Sequence, residues 1–433
     1  MHEQLLTRIT HHAAHIGIIG LGYVGLPLAV EWARAGFLVT GIDIDSRRVA
    51  MCQEGISWIS DVPSRDLKAL VCEGRLRATT DMAVLGELDA VIICVPTPLN
   101  KTKDPDIGAV LSAVEEIAGH LHRGQLIVLE STTYPGTTEE HILPRLRQTH
   151  LEVGEDFFLA FSPERTDPGN KLYSLPNTPK VVAGITPTCL EMASALYKTV
   201  VGTVVPVSST RAAELVKLLE NTFRAVNIGL ANELAIMANL LGIDVWEVIS
   251  AAATKPFGFM PFYPGPGLGG HCIPIDPHYL AWKLRTFNYK TRFIEVASEI
   301  NGQMPRYVVE RIATAMNEAG KCLNGSRILV AGVSYKPDVA DLRESPALDV
   351  IELLHERKAY IEYADPYVPN LMLGELSLTA VPLDEEHLIS ADCVIIVTNH
   401  TAFDYAYLAS KAPLVVDTRN ATAGISGSHI WRL

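Results

Sequence analysis

The chain holds no apolar run long enough to span a bilayer, and its first fourteen residues are polar, rich in histidine and unlike a secretion signal. Its seven cysteines (Cys52, Cys72, Cys94, Cys189, Cys272, Cys322, Cys393) are odd in number, scattered and without C-x-x-C. That pattern argues against a disulfide framework and a zinc site, so no metal is expected and a reducing, cytoplasmic setting is. Positive charge is in deficit: 36 Lys and Arg stand against 49 Asp and Glu, for a net charge of −13. A general nucleic-acid-binding surface does not fit that balance, although a local basic pocket for a phosphorylated small molecule does. With 48% hydrophobic and 20% charged residues, the composition is that of a soluble globular protein and not of a disordered one.

The 433 residues are enough for two or three well-filled domains. From His15 the chain reads H-I-G-I-I-G-L-G-Y-V-G-L-P-L-A-V-E-W-A-R-A-G, an apolar strand entering Gly20-x-Gly22-x-x-Gly25 and then a helix. This is the dinucleotide fingerprint in its required context. Gly20 permits the tight turn, Gly22 a close approach to a pyrophosphate, and Gly25 the packing of helix on strand, with Tyr23 and Val24 between them at the same turn. A second strand, F-L-V-T-G-I-D-I-D, sets Asp43 where a carboxylate meets the ribose hydroxyls, which favours NAD over NADP. Arg47 and Arg48 complicate that preference, since either could contact the adenine side or a phosphate, and Asp45 is expected to be a solvated loop carboxylate.

Strands at Asp89 to Val95 and Leu126 to Leu129 bring Thr97 and Thr132 to the carboxyl ends of a parallel sheet, where ligands bind; either threonine could instead cap a turn or helix. An amphipathic helix from Ala109 to Leu121 crosses between them. The strand Phe157 to Phe161 delivers Glu164 and Arg165 to the same rim, with a surface ion pair as the alternative. After Ser208 comes a long helix in which Lys217 and Asn221, four residues apart, share a face. Its apolar excess suggests packing on a second copy of the chain.

The stretch Gly265 to Tyr279, G-P-G-L-G-G-H-C-I-P-I-D-P-H-Y, joins a glycine-rich approach to Cys272 and, four residues on, Asp276. It reads as a loop wrapped over a ligand, or as a structural turn with a buried thiol. Around Arg327 an α/β pattern returns without a full glycine fingerprint. There Ser345 is placed as a helix N-cap with Pro346 after it, and Lys336, Arg343 and Arg419 are cations at strand ends. Further strands are expected at Tyr360 to Ala364, Cys393 to Thr398 and Leu414 to Asp417. The expected fold is α/β: two Rossmann-like doubly wound domains joined by a long central helix and helical segment. The divisions are a polar tail at 1–14, an NAD-binding domain at 15–207, a central helical dimerisation and catalytic-loop domain at 208–322, and a second Rossmann-like domain at 323–433 that could bind a nucleotide diphosphate.

Gly20 to Gly25, S-P-E-R-T, the Lys217/Asn221 helix, G-G-H-C-I-P-I-D-P and Y-K-P-D-V-A-D-L-R-E-S-P-A occur in this order. With them the chain resembles the UDP-glucose/GDP-mannose dehydrogenase family over essentially its whole length. The form of the cysteine motif, with His271 where UDP-glucose enzymes usually have Ser, resembles the branch acting on UDP-N-acetylhexosamines, UDP-N-acetylglucosamine above all. That branch serves bacterial surface polysaccharides such as O-antigen. The resemblance implies a two-step oxidation of the sugar C6 alcohol to a carboxylate with two NAD and one water. Cys272 would carry a thiohemiacetal and then a thioester. Lys217 and Asn221 would stabilise the oxyanion, Glu164 would act as base through a water that Thr132 helps to hold, and Asp276 would handle protons beside Cys272.

The same resemblance implies a substrate grip by Glu164, Arg165, Lys217, Asn221, Tyr263, Gly267, Lys336 and Arg419, and a cofactor contact by Arg343. The family often places an Arg from a neighbouring subunit before the cysteine loop; here that region is T-K-P-F-G-F-M-P-F-Y, with Lys255 in its place. Rival readings are oxidation of UDP-N-acetylmannosamine, UDP-N-acetylgalactosamine or UDP-glucose, a two-electron dehydrogenase, an epimerase with bound NAD, and a silent nucleotide-sugar sensor. The expected partners are the UDP-sugar and a second copy of the chain, with neither nucleic acid nor membrane insertion.

Overall fold

A computed structural model of the protein describes residues 1–59, 61–100, 102–167, 169–170 and 172–433. The chain divides into two compact units, residues 1–220 with 278–289, and 221–277 with 290–433.

In the first unit the apolar runs form an eight-stranded sheet: β1 (His15–Ile19), β2 (Leu38–Ile42), β3 (Leu76–Thr79), β4 (Ala90–Ile93), β5 (Leu126–Leu129), β6 (Phe158–Phe161), β7 (Lys180–Gly184) and β8 (Val204–Pro206). Their order is β3-β2-β1-β4-β5-β6-β7-β8. The first six strands are mutually parallel, which is the doubly wound arrangement. Every residue of β4, β5 and β6 is buried, as continuous Val, Ile, Leu and Phe runs require when helices cover both faces. β7 is the exception in direction: it runs antiparallel to β6, pairing Phe161 with Ala183, so its first residue, Lys180, lies at the carboxyl end of its neighbour.

The helix Gly25–Arg34 follows the glycine turn directly. Gly20 has φ +96°, and a Cβ on Gly25 would stand 1.9 Å from the Gly20 carbonyl oxygen, so helix and strand meet only where a side chain is missing. Residues 1–14 are not the expected polar tail. They contain the helix His2–Thr10, whose Leu5 and Ile9, one turn apart, are buried in the core with Trp32 and Tyr197. Two apolar residues at helical spacing suffice to dock a segment that looks polar by composition. Asp45 is a solvated carboxylate outside the helix, as expected, but it also caps the helix Ser46–Gln53: its bond with the Arg47 guanidinium, and then that with the Arg47 N–H at 2.9 Å, draw its carboxyl down to about 2.

The second unit holds a parallel sheet of β9 (Arg327–Ala331), β10 (Tyr360–Ala364), β13 (Cys393–Ile396), β14 (Val415–Asp417) and β15 (Ile430–Arg432), ordered β10-β9-β13-β14-β15. A hairpin of β11 (Asn370–Leu373) and β12 (Leu376–Thr379) accompanies it. Ser345 caps the helix Pro346–Glu356 with Pro346 in the first turn, as expected. The long helix is Thr210–Leu241, and the helices Val245–Ala253 and Arg292–Glu318 follow. The architecture is therefore two Rossmann-like α/β sheets with a helical segment between them in sequence.

Buried amides organise the helical part of the second unit. Asn232 donates to Asn301 Oδ1 at 2.8 Å, Asn301 donates to the Ala225 carbonyl at 3.0 Å, and Asn232 Oδ1 accepts from the Gly265 N–H at 2.9 Å. Each polar atom so used avoids the cost of burial without a partner. The approach to Cys272 is thereby tied to the long helix. Replacing Gly25 by Ala should destabilise the protein by about 1–3 kcal/mol through overpacking. The thermal midpoint reads this, and a midpoint equal to wild type would contradict the tight crossing.

Candidate active site

The carboxyl ends of the parallel strands gather the expected cofactor residues of the first unit. Leu21 N–H donates to Asp43 Oδ2 at 2.8 Å and Asp45 N–H to Asp43 Oδ1 at 2.9 Å, while Arg48 stands 3.6 Å from the same carboxylate. Asp43 thus locks the glycine turn to the end of β2. A Cβ on Gly22 would meet nothing within 4 Å, so the turn faces open space. Tyr23 is 36% exposed at this turn, and Val24 immediately precedes the helix whose N-terminus faces that space. Thr97 is buried, and its carbonyl accepts from the Tyr279 hydroxyl at 2.8 Å. Thr132, half-buried, lies three residues past β5, and Glu164 three past β6, on paired strands whose last residues, Leu129 and Phe161, are in register.

Glu164 is held from several sides. Its carboxylate accepts from the Thr166 N–H and hydroxyl, and its carbonyl accepts from Lys217 Nζ at 2.6 Å. Burial works against its charge, yet the ammonium groups of Lys180 and Lys217 and the Thr166 bonds outweigh it, holding the carboxyl below the usual range. Arg165 pairs with Glu220 at 2.6 Å and donates to the Pro179 carbonyl at 2.6 Å. It therefore takes up the ion-pair alternative within this unit.

In the second unit the stretch expected to be a loop changes character at its cysteine. Residues 261–271 are irregular, but Cys272–Arg285 is a helix that begins at the thiol. Pro274 falls in the first turn, where no N–H is needed, and Pro277 removes one interior bond, so two prolines that read as loop signals are tolerated. The i, i+4 spacing then sets Asp276 one turn beyond Cys272 on the same face. Asn221 donates to Asp276 Oδ2 at 2.6 Å, with both side chains buried. Lys217, also buried, is one turn before Asn221 on the long helix.

The glycines ahead of Cys272 lie against the rim of the second sheet. A Cβ on Gly265 would fall 2.5 Å from an Arg419 nitrogen, one on Gly267 3.1 Å from Pro346, and one on Gly270 2.9 Å from the Tyr335 ring. The Gly270 N–H donates to the Arg343 carbonyl at 2.9 Å. The glycines therefore make room for this unit's own side chains. Arg419 donates to the Val397 carbonyl at 2.9 Å, and burial pulls its guanidinium down to about 10, still a cation at neutral pH. Lys336 lies over the Tyr335 ring at 5.8 Å, and Arg343 is bound to Asp341, with its shortest contact 2.6 Å. Tyr263 stacks on Trp246 at 6.1 Å.

The residues that sequence reasoning missed are Glu130, Lys180 and Tyr197. Lys180 Nζ lies 2.8 Å from Glu130 Oε2, the Tyr197 hydroxyl donates to Glu130 Oε1, and all three are buried. A Glu and a Lys at opposite ends of apolar strands were the only available signal, and the antiparallel turn of β7 that joins them leaves no local mark.

The family's NAD binding domain matches residues 14–201, its central domain 211–303 and its UDP binding domain 329–424. The chain belongs to the UDP-glucose/GDP-mannose dehydrogenase family. It is 38% identical to a UDP-N-acetyl-D-glucosamine 6-dehydrogenase of Pseudomonas aeruginosa over 82% of this chain and 83% of that one. It is 35% identical to a UDP-N-acetyl-D-mannosamine dehydrogenase of Methanococcus maripaludis over 96% and 94%. A solved UDP-D-ManNAc dehydrogenase of Pyrococcus horikoshii superposes with a TM-score of 0.88 at 32% identity, over 96% of this chain and 98% of that one.

As a member of the UDP-glucose/GDP-mannose dehydrogenase family, the protein is an NAD-dependent enzyme of UDP-sugars. The turn at Gly20 to Gly25, open at Gly22, with a helix N-terminus behind it and a carboxylate beside it, fits that cofactor. Among the described residues no cluster suits a metal, and no helix is long and apolar enough to cross a membrane.

Because the Glu164 carboxyl is lowered on folding, it adds stability above its unfolded value and loses it as pH falls through the folded one. The difference in unfolding free energy between wild type and Glu164→Gln should therefore be largest near neutral pH and shrink in acid. Denaturant titrations across pH read this; a gap that widens on acidification would contradict the assignment.

Proposed function

We propose that the protein oxidises the C6 alcohol of a UDP-N-acetylhexosamine, UDP-N-acetylglucosamine in the first place, to the uronic acid. The carrying observation is the arrangement of a thiol at the start of a helix, Asp276 one turn on, and the 2.6 Å bond from Asn221 to Asp276. NAD, when bound, would supply the hydride acceptor for each of the two oxidations. Between them the Cys272 thiolate adds to the C6 aldehyde as a thiohemiacetal, which the second oxidation converts to a thioester. Glu164, charged at neutral pH, takes a proton from a water that Thr132 helps to hold. The water attacks the thioester carbonyl, and the tetrahedral adduct collapses with loss of the Cys272 thiolate. Lys217 and Asn221 stabilise the oxyanion of each adduct, and Asp276 passes the proton exchanged at Cys272.

The UDP group is assigned to Lys336 and Arg419, with Tyr263 and Gly267 completing the substrate grip and Arg165 left to its ion pair with Glu220. NAD is assigned to Gly20, Gly22, Tyr23, Val24, Gly25, Asp43, Arg48, Thr97, Thr132 and Arg343. The three family matches support functional divisions at 15–207, 208–322 and 323–433. Seven cysteines, with no disulfide among the described residues, agree with a cytoplasmic enzyme. The choice of sugar is supported by the Pseudomonas relative and by His271; the mannosamine relatives favour UDP-N-acetylmannosamine as the second reading.

Incubation of the purified protein with each UDP-sugar and NAD should give two NADH per sugar consumed, with the N-acetylglucosamine form fastest. One NADH would indicate a two-electron dehydrogenase and none an epimerase or a sensor. Cys272→Ser should abolish uronate formation, and undiminished uronate would defeat the covalent route.

The long helix leaves Leu219, Leu230 and Leu240 at 61%, 59% and 80% exposure. We assign this apolar face to a second copy of the chain. Sedimentation should give a dimer whose dissociation Leu219→Glu with Leu230→Glu promotes; a monomeric wild type at micromolar concentration would refute it.

A further inference from the structure

The sheet of the first unit contains a buried ion pair that neither the fold nor the proposed chemistry accounts for. Lys180 opens β7, Glu130 follows β5, and their side chains meet at 2.8 Å with 2% and 1% exposure of the residues. Burying two charges costs several kcal/mol per ion, so such a pair is weak evidence for stability and invites another explanation. Tyr197, from the helix Pro187–Tyr197, donates to the second oxygen of Glu130, and its ring lies 5.2 Å from Lys180 Nζ. The lysine is thus fixed in one place.

What it faces is decided by the reversal of β7. The turn S-P-E-R that leaves β6 is stitched to the start of β7 on both sides of Lys180. The Ser162 hydroxyl donates to the Val181 carbonyl at 2.8 Å, and Arg165 donates to the Pro179 carbonyl at 2.6 Å. Glu164 lies between these two stitches and Lys180 lies between their acceptors. Had β7 run parallel to β6, its first residue would stand at the other edge of the sheet.

We infer that Lys180, held by Glu130 and Tyr197, is a positioning residue whose buried ammonium keeps Glu164 in the charged form needed to activate water. The inference rests on the role of Glu164 proposed above. The other groups acting on Glu164 are Lys217 from the long helix and the Thr166 N–H and hydroxyl, while Glu130 past β5 and the Cys94 thiol past β4 are themselves raised by the Glu164 charge. Arg165 is taken up by Glu220 and the Pro179 carbonyl. Burial raises the Glu130 carboxyl, which limits how far Glu130 cancels the lysine.

The test removes both charges together, Glu130→Gln with Lys180→Met, because a pair exchanged for neutral groups of similar size leaves no lone buried ion. In cofactor-free protein labelled with ¹³C at the glutamate carboxyls, the Glu164 resonance is assigned by its loss in Glu164→Gln. Its titration midpoint should rise by about one pH unit or more in the double variant, and the acid limb of the rate of uronate formation should rise with it. Lys180→Arg should keep both near wild type. An unmoved midpoint in the folded double variant would overturn the inference and reduce the pair to a structural one.

Should the double variant not fold, Glu130→Gln with Lys180→Gln, which keeps polar groups at both positions, is read in the same way: a raised midpoint supports the inference and an unmoved one overturns it. Wild-type protein that forms no uronate would defeat the proposed reaction, whereas a static carboxyl titration in an active enzyme would defeat only the role of Lys180.

Discussion

The hydrogen bond of 2.6 Å from Asn221 to Asp276 joins the long helix to the helix that begins at Cys272, one turn beyond the thiol. Both side chains are buried, so loss of either partner would strand a polar group away from water. The spacing on each side of the bond is one helical turn, to Lys217 before Asn221 and to Cys272 before Asp276. A four-residue period and a single bond between two helices thus hold Asn221, Asp276 and Cys272 in a fixed order within the second unit. The amides Asn232 and Asn301 extend the same logic to Gly265, so the approach to the thiol is hydrogen-bonded to the long helix as well.

The first unit solves a different problem, that of keeping charge inside a dense apolar sheet. Parallel strands can be buried on both faces only if their polar ends are gathered at the rims, and here the carboxyl rim takes the glycine turn, Asp43, Thr97, Thr132 and Glu164. One reversed strand adds a lysine to that rim without exposing it. The second unit repeats the parallel plan with Lys336, Arg343 and Arg419 at its rim, and glycines in the segment leading to Cys272 make room there for Arg419, Tyr335 and Pro346.

Much of this was legible in the sequence because it depends on local rules. The strand, glycine turn, helix and acid at His15 to Asp43 form a contiguous pattern, and the cap at Ser345 with Pro346 is set by two adjacent residues. The long helix followed from its periodicity. What failed had causes outside the local window. The helix at His2–Thr10 depends on where Leu5 and Ile9 dock. The helix at Cys272 begins with Pro274 in its first turn, where no N–H is needed, and tolerates Pro277 in its interior. The pairing of Glu130 with Lys180, fifty residues apart, depends on a strand direction that no residue announces. Arg165 carried a pattern compatible with ligand binding, and its contacts with Glu220 and Pro179 could be found only in three dimensions.

The account holds that Cys272 carries an acyl group which Glu164 helps water to remove. Peptide mass spectrometry of Glu164→Gln, quenched in acid during turnover of UDP-N-acetylglucosamine and NAD, tests this most directly. The Cys272 peptide should carry the mass of the thioester-linked UDP-N-acetylhexosaminuronyl group, released by hydroxylamine and absent without NAD. An unmodified Cys272 peptide in a variant that has already produced NADH would contradict the claim.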